Sequence, residues 1–467
     1  MKSRFTTLRA ATAILAALAA VAPSMSAQKQ APPAPATPKD FRLPAKTTFT
    51  LPNGVEVTMV PFGMTPKANV QVVFRTGNAN EAANEVWLAD ITGDLMREGT
   101  TARTGAEVAR TFASMGGSLN ITVTSDETRF GSDVLTEQVP EAVRLLAEIV
   151  RTPRLPESEL PRIKANRLRQ LSIAKSQPQS LAEERFSAIM YGDHPYGRIF
   201  PTEAMLNGYT IDNARRFFEN NFGAARARIY VAGVYDRAAV EAAIRAAFAD
   251  WAPGNPPITL PAPTQPTTRD VALLDRPNAP QSTIYIGLPA IDPSKPDWIP
   301  LQVTNSLLGG SFGSRITSNI REQKGYTYAP YSTVRTHYRD ANWVEIADVT
   351  TNVTGASLKE IIGEVERLQK EPPSPAELRG IQNYISGIFT LQNASRQGII
   401  GGLDFADLHG LGDDYLTSYV KRVYEVTPAD VQRITATYIR PEAMSIVVVG
   451  DKATVETQLK PYQPVVP

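Results

Sequence analysis

Two stretches of this chain repeat one another at a fixed distance, and that repeat limits the fold more than any other feature. TIDNARRFFENNFGAARARIYVAGVYD, from Thr210 to Asp236, reads as a helix cap, an amphipathic helix and a strand ending in glycine. TPADVQRITATYIRPEAMSIVVVGDKA, from Thr427 to Ala453, reads the same way. Thr210 and Thr427 lie 217 residues apart, as do Gly233 and Gly450. Upstream of each copy, LTEQVPEAVRLLAEIVRTPRLPESEL and ASLKEIIGEVERLQKEPPSPAEL echo one another. A chain of 467 residues is too long for one ordinary core, so the repeat predicts two copies of one fold, about 200 residues each. The stretch Ala252 to Thr267 holds six prolines and reads as a linker. This sets a linker at 252–268 between domains at 47–251 and 269–462. Strands and helices mix without a regular βαβ period, so each copy is expected to be α+β, a mainly antiparallel sheet flanked by helices.

The first residues read as a targeting segment. Lys2, Arg4 and Arg9 form a basic start, and Ala10 to Ala22 is an apolar run too short to span a bilayer comfortably. Small residues offer cleavage after Ala22 or Ala27, which makes 1–27 a signal peptide and 28–46 a flexible lead-in rich in Ala, Pro and Lys. The mature protein is then expected to be periplasmic or secreted, with no membrane anchor after cleavage. A net charge of +1 gives no electrostatic case for nucleic acid. The absence of cysteine excludes disulfides, thiolate metal sites and cysteine nucleophiles. The three histidines, His194, His337 and His409, lie far apart in sequence, so a histidine-based metal site is poorly supplied.

Local signals place the first elements. FTLPNGVEVTMVP reads as a hairpin turning at Asn53-Gly54, and Val70 to Gly77 as a further strand. Helices are expected from Gly105 to about Met115, from Glu137 to Val150 and from Glu157 to Lys175, with a strand pair in SLNITVTSDETRFGSDVL. Trp87 to Thr100, WLADITGDLMREGT, reads as one amphipathic helix carrying Asp90 and Asp94 at i, i+4 with Gly93 between them. That frame matches His-x-x-Glu-His, in which i, i+4 imidazoles face one metal and the Glu is the general base. Asp90 stands at the first His, Gly93 at the Glu and Asp94 at the second His. Glycine cannot take a proton from water.

Taken with the LPNG hairpin, Glu98-Gly99-Thr100, YGDHPYGR (Tyr191 to Arg198), LLGGSFGSRI (Leu307 to Ile316) and IREQKGYTYAP (Ile320 to Pro330), the chain resembles the pitrilysin and mitochondrial processing peptidase family, the inverted zincins, over nearly its whole mature length. The resemblance implies two homologous α+β domains forming half of a clamshell. Active members complete the zinc site with a Glu in a later helix; the matching position here is Gln170, a neutral and poor zinc ligand. All four motif positions are altered. Family members also carry an Arg and a Tyr seven residues apart in the second domain that hold the substrate backbone, and Arg321 and Tyr328 match them. The resemblance therefore implies a subunit with no metal of its own and no catalytic residue. It would pair as a heterodimer with a zinc-bearing homologue and lend that partner peptide-binding donors. Tyr326 and Tyr331 are alternatives for the Tyr role. A structural or peptide-binding scaffold with no part in proteolysis is the competing reading.

Several features have plainer readings. Asp90 and Asp94 could bind a hard cation such as Ca²⁺ or Mg²⁺, but two carboxylates on one helix face are more often solvated or ion-paired, and Arg97 lies at the right spacing to pair with Asp94. GGSFGSR lacks the Gly-Lys-Ser/Thr ending of a phosphate loop and reads as a turn in which glycine relieves strain. His194 reads as a capping or turn residue. The three scattered histidines leave little basis for a Ser-His-Asp triad.

Overall fold

The computed structural model describes residues 41–412 and 414–464. The expected signal peptide, its expected cleavage sites and most of the expected lead-in fall outside the described residues.

Six strands build the first sheet: β1 (Thr47–Thr50), β2 (Glu56–Pro61), β3 (Lys67–Phe74), β4 (Asn120–Val123), β5 (Thr128–Leu135) and β6 (Ala227–Gly233). Five build the second: β7 (Val271–Asp275), β8 (Gln281–Ala290), β9 (Tyr331–His337), β10 (Asp340–Thr350) and β11 (Ser445–Gly450). The first sheet has the order β1-β2-β6-β3-β5-β4 and the second β7-β11-β8-β10-β9. Without β1, the two orders are the same. In both sheets the late strand inserts parallel to one neighbour and antiparallel to the other: β6 between β2 and β3, β11 between β7 and β8. The duplicated segments are the helix and strand that make this insertion, Ile211–Asn221 with β6 and Pro428–Tyr438 with β11. A threonine capping box starts both helices, Thr210 with Asn213 and Thr427 with Asp430. The fold is α+β, one five-stranded plan used twice.

The predicted hairpin forms: β1 and β2 pair across Asn53-Gly54, with Gly54 at φ 92°, and the Asn53 amide donates to the carbonyls of Phe248 and Trp251. The stretch 252–268 carries no regular structure.

Each half lends a helix to the other's sheet. Pro178–Tyr191 lays Ala182, Phe186 and Met190 against Tyr285, Val344, Ile346, Val447 and Val449 of the second sheet. Arg396–His409, at nearly the repeat distance from it, packs on β3 and β6 of the first. Polar contacts tie this exchange down: Tyr230 Oη donates to Asp407 at 2.5 Å, and Arg396 grips Asp133 with two bonds of 2.7 and 2.9 Å. Val60, Val73, Tyr230 and Ala232 of the first sheet are buried in the second half's core. Both faces of both sheets are thus covered, and burying apolar area on both is what joins the halves.

Candidate functional site

The helix with the altered motif runs Leu88–Arg97, shorter than the Trp87–Thr100 read from sequence. Trp87 caps it in the left-handed region at φ 69°, an uncommon conformation for a large side chain, held by its ring against Phe200 and by Nε1 donating to the Ile199 carbonyl. At the other end Gly99 sits at φ 122°, where a Cβ would lie 2.5 Å from the Arg103 carbonyl oxygen. Glu81 supports the helix start, accepting from the backbone N–H groups of Trp87 and Ala89 and from Asn78 Nδ2. Burial pushes its pKa up to about 8. Asn78 Nδ2 also donates to Asp90 at 2.8 Å.

Asp90, Asp94 and Gln170 do converge, but on a side chain of the chain itself. Arg167, in the helix Leu160–Ser176, places its guanidinium among them. Nη1 donates to Asp90 Oδ1 at 3.1 Å and to Gln170 Oε1 at 3.2 Å. Nε and Nη2 lie 2.8 and 2.7 Å from Asp94 Oδ2, and Nη2 reaches the Asp90 carbonyl at 3.3 Å. The fork makes four hydrogen bonds, and Nη2 adds an ion-pair contact with Asp94. Burial raises the Asp90 pKa and the Arg167 charge opposes that shift. The pairing of Arg97 with Asp94 expected from helical spacing is not made. Arg97 Nη1 bonds the Leu119 carbonyl at 3.0 Å instead, because the motif face of the helix is already taken by Arg167.

The residues present do not fit zinc. The motif offers no imidazole, its third position is an amide, and a fixed cation stands between the carboxylates. Among the described residues no group of three or more His, Asp or Glu side chains is placed to hold a metal ion. The base position is closed as well. Gly93 is buried, and a Cβ there would meet Val123 Cγ2 at 3.2 Å and Ile121 Cγ2 at 3.5 Å, so β4 packs where a general base would project.

Residues 63–201 match the family Insulinase (Peptidase family M16), and residues 208–385 match the Peptidase M16 inactive domain. The chain belongs to peptidase family M16. Curated relatives of this M16 chain include an uncharacterized zinc protease of Mycobacterium tuberculosis, 24% identical over 410 residues covering 86% of this chain and 90% of the relative. Another is the uncharacterized zinc protease YmxG of Bacillus subtilis, 23% identical over 73% of this chain and 83% of its own. Among solved structures, a peptidase M16 inactive domain from Pseudomonas fluorescens superposes with a TM-score of 0.80 at 23% identity, covering 87% of this chain and 98% of that one. A protease from Helicobacter pylori superposes at 0.81 and 20% identity, covering 88% and 100%.

The second half of the M16 chain keeps an open site. Two π-helical turns, Ser306–Gly310 and Thr317–Gln323, shape LLGGSFGSRI and its sequel. The glycines there are not strained: Gly309 and Gly310 lack positive φ. They are small because neighbours fill the space, Glu345 Oε2 lying 2.4 Å from where a Gly309 Cβ would be and Asn305 Nδ2 2.5 Å from that of Gly310. The structure brings Arg321 and Tyr328 together. The Arg321 guanidinium lies over the rings of Phe312 at 4.3 Å and Tyr328 at 5.1 Å. Its carboxylate contact is Nε to Glu322 at 3.3 Å. Arg321, Tyr328, Tyr331, Phe312 and Tyr384 line a cavity of about 300 Å³ with the Gly309–Ser311 backbone. Of the alternative tyrosines, Tyr331 lines it and Tyr326 does not.

His194 caps the turn at Pro195–Gly197, accepting from the Tyr196 N–H. Sequence reasoning missed its surroundings: His337 stacks on Tyr196 at 4.0 Å, and Tyr196 Oη donates to Asp126 at 2.6 Å. It also missed Arg167. Two carboxylates facing one way with no metal ligands beside them require a cation, and the helix bearing Gln170 supplies it three residues earlier.

Proposed function

We propose that this chain is the metal-free subunit of an exported M16 zinc peptidase, pairing with a zinc-bearing homologue and holding the substrate peptide with Arg321 and Tyr328. The observation that carries the reading is the Arg167 guanidinium seated among Asp90, Asp94 and Gln170: one end of the active-site plan is shut by charge, while the other keeps an arginine whose Nη donors lack a protein acceptor among the described residues. In the assembled enzyme the partner would supply the water-activating metal and its base. This chain would close the chamber and fix the peptide carbonyls, since positioning donors act on rate from outside the metal's own ligand shell. Export rests on the basic and apolar N-terminal segment.

The test is reconstitution. The isolated chain should carry no zinc by elemental analysis and should not hydrolyse an unfolded peptide. Mixed with an M16 homologue of the same host that keeps His-x-x-Glu-His, it should form a 1:1 complex with activity that Arg321→Ala lowers at least tenfold. Unchanged turnover in that variant removes the proposed role, and chelator-sensitive hydrolysis by the isolated chain removes the reading altogether. The scaffold alternative draws on a fold match to a chain of Complex III2 from Candida albicans, TM-score 0.74 at 15% identity. It predicts a complex whose activity is indifferent to Arg321.

A further inference from the structure

Beside the Arg321 cavity lies a second one of about 410 Å³, lined by Leu307, Ala376, Ile381 and Gly313 and by Glu377, whose carboxylate is held by two bonds from Arg315. The two share Ser311, Phe312 and Tyr384 as a common wall. Its floor is part of the helix Pro375–Gln392, and Gly380, in the second turn of that helix, borders it. Glycine in a helix interior costs about 1 kcal/mol relative to alanine. Nothing in the fold calls for that glycine: its φ is not positive, and a Cβ built on it meets no atom within 4 Å. Gly313, on the opposite lip, is equally free of neighbours. Both glycines are exposed and border the cavity, so a side chain at either position would narrow it.

Two polar groups at this place lack partners. Ser311 is 8% exposed, and its buried hydroxyl makes no hydrogen bond although the residue borders both cavities. The Arg321 Nη donors are the second. Phe312, 70% exposed, and Tyr384, 45% exposed, stand between them. A mainly apolar hollow, its one carboxylate already paired with Arg315 and a few unspent donors at its edge, is the usual form of a ligand pocket.

We infer that this hollow is a specificity pocket that takes one bulky aliphatic or aromatic side chain of an extended peptide whose backbone carbonyl is held by Arg321. The inference rests on the reading of Arg321 as a peptide grip and adds the class of residue selected. An extended strand advances about 3.3 Å per residue with side chains on alternating sides. A backbone crossing the Phe312–Tyr384 wall can therefore present carbonyls to the guanidinium and to Ser311 while lowering a side chain beside Gly380. The free guanidinium donors match carbonyl oxygens, which the flat apolar surface of a folded partner would not offer.

The test uses the purified full chain and fluorescein-labelled ten-residue peptides of alanine and serine that differ at one central position: alanine, leucine or phenylalanine. Fluorescence anisotropy should show the leucine and phenylalanine peptides binding about tenfold or more tighter than the alanine peptide. Gly380→Leu, which improves helix propensity and whose fold is checked by its melting temperature, should erase that preference. Arg321→Ala should weaken all three peptides alike. If Arg321→Ala weakens binding but the wild type shows no preference and Gly380→Leu changes nothing, the pocket is refuted while the peptide grip stands. If no peptide binds the wild type, the grip itself fails and the pocket with it. If Gly380→Leu instead abolishes association with a second subunit in sedimentation, the hollow is a subunit contact and the inference is overturned.

Discussion

Replacing Arg167 by methionine isolates the charge that fills the altered motif. Methionine keeps most of the aliphatic stem and removes the guanidinium. Asp90 and Arg167 are 20% and 16% exposed at their side chains, Asp94 36%. The gross attraction to Asp90 at 3.1 Å is about 5 kcal/mol at an effective dielectric of 20. Relieving the desolvation of Arg167 returns about half of that, and Asp94, a third exposed, adds little after solvent screening. The expected loss is about 2–3 kcal/mol, close to that for breaking a buried pair, or about 3 °C in melting temperature for a chain of this size. Calorimetry and urea unfolding at pH 7 measure it. The decisive companion is the triple variant Arg167→Met, Asp90→Asn, Asp94→Asn. If uncompensated carboxylate charge is the cause, the triple variant should regain most of the loss. A single variant within about 0.5 kcal/mol of the parent, or a triple variant no better than the single, would refute the reasoning.

Two further predictions concern buried acids. Glu345, wholly buried on β10 without a hydrogen-bond partner, has its pKa raised well above 4.5 by burial. A raised folded pKa gives stability that is full below the unfolded value and is lost as pH climbs toward the folded one, at up to about 1.4 kcal/mol per pH unit. Glu345→Gln should flatten that decline between pH 5 and 8 in urea titrations, and an unchanged slope counts against it. Arg129 lies 2.5 Å from Glu127 and 2.7 Å from Asp404, carboxylates with side chains 3% and 2% exposed in different halves. Burial pushes the Glu127 pKa up to about 8, so Arg129→Met should cost about 3–5 kcal/mol, more at pH 8 than at pH 5. A loss independent of pH would assign the effect to packing.

The repeat was legible because its parts are local: a threonine cap, a helical stripe and a strand ending in glycine recur at one offset and carry the inserted strand in each sheet. The motif frame was legible for the same reason, since i, i+4 spacing on one helix needs no tertiary knowledge. Arg167 was not legible by that logic. Its carboxylate partners lie more than 70 residues away, and spacing within the helix pointed to Arg97, which the fold turns toward the Leu119 carbonyl. The role of Gly309 was hidden similarly: sequence suggests a turn residue, whereas the cause is Glu345 arriving from another strand. The exchange of helices between halves left no single-residue mark, because an amphipathic helix reads alike whichever sheet receives it.

The two ends of the active-site plan have parted in different ways, and that decides what would restore the lost one. At the metal end the obstacles are independent: missing imidazoles, an amide for a carboxylate, a cation in place and a strand against the base position. Asp90→His, Gly93→Glu, Asp94→His and Gln170→Glu together should therefore still not bind zinc. Arg167 would remain as a competing cation, and the carboxylate side chain introduced in place of Gly93 would press on Val123. Adding Arg167→Ala and Val123→Ala should be what admits the metal, read as a rise in melting temperature on titration with zinc that dialysis against a chelator reverses. Zinc-dependent stabilisation already present in the fourfold variant would show that ligand identity alone closed the site, and that Arg167 merely filled a space left behind.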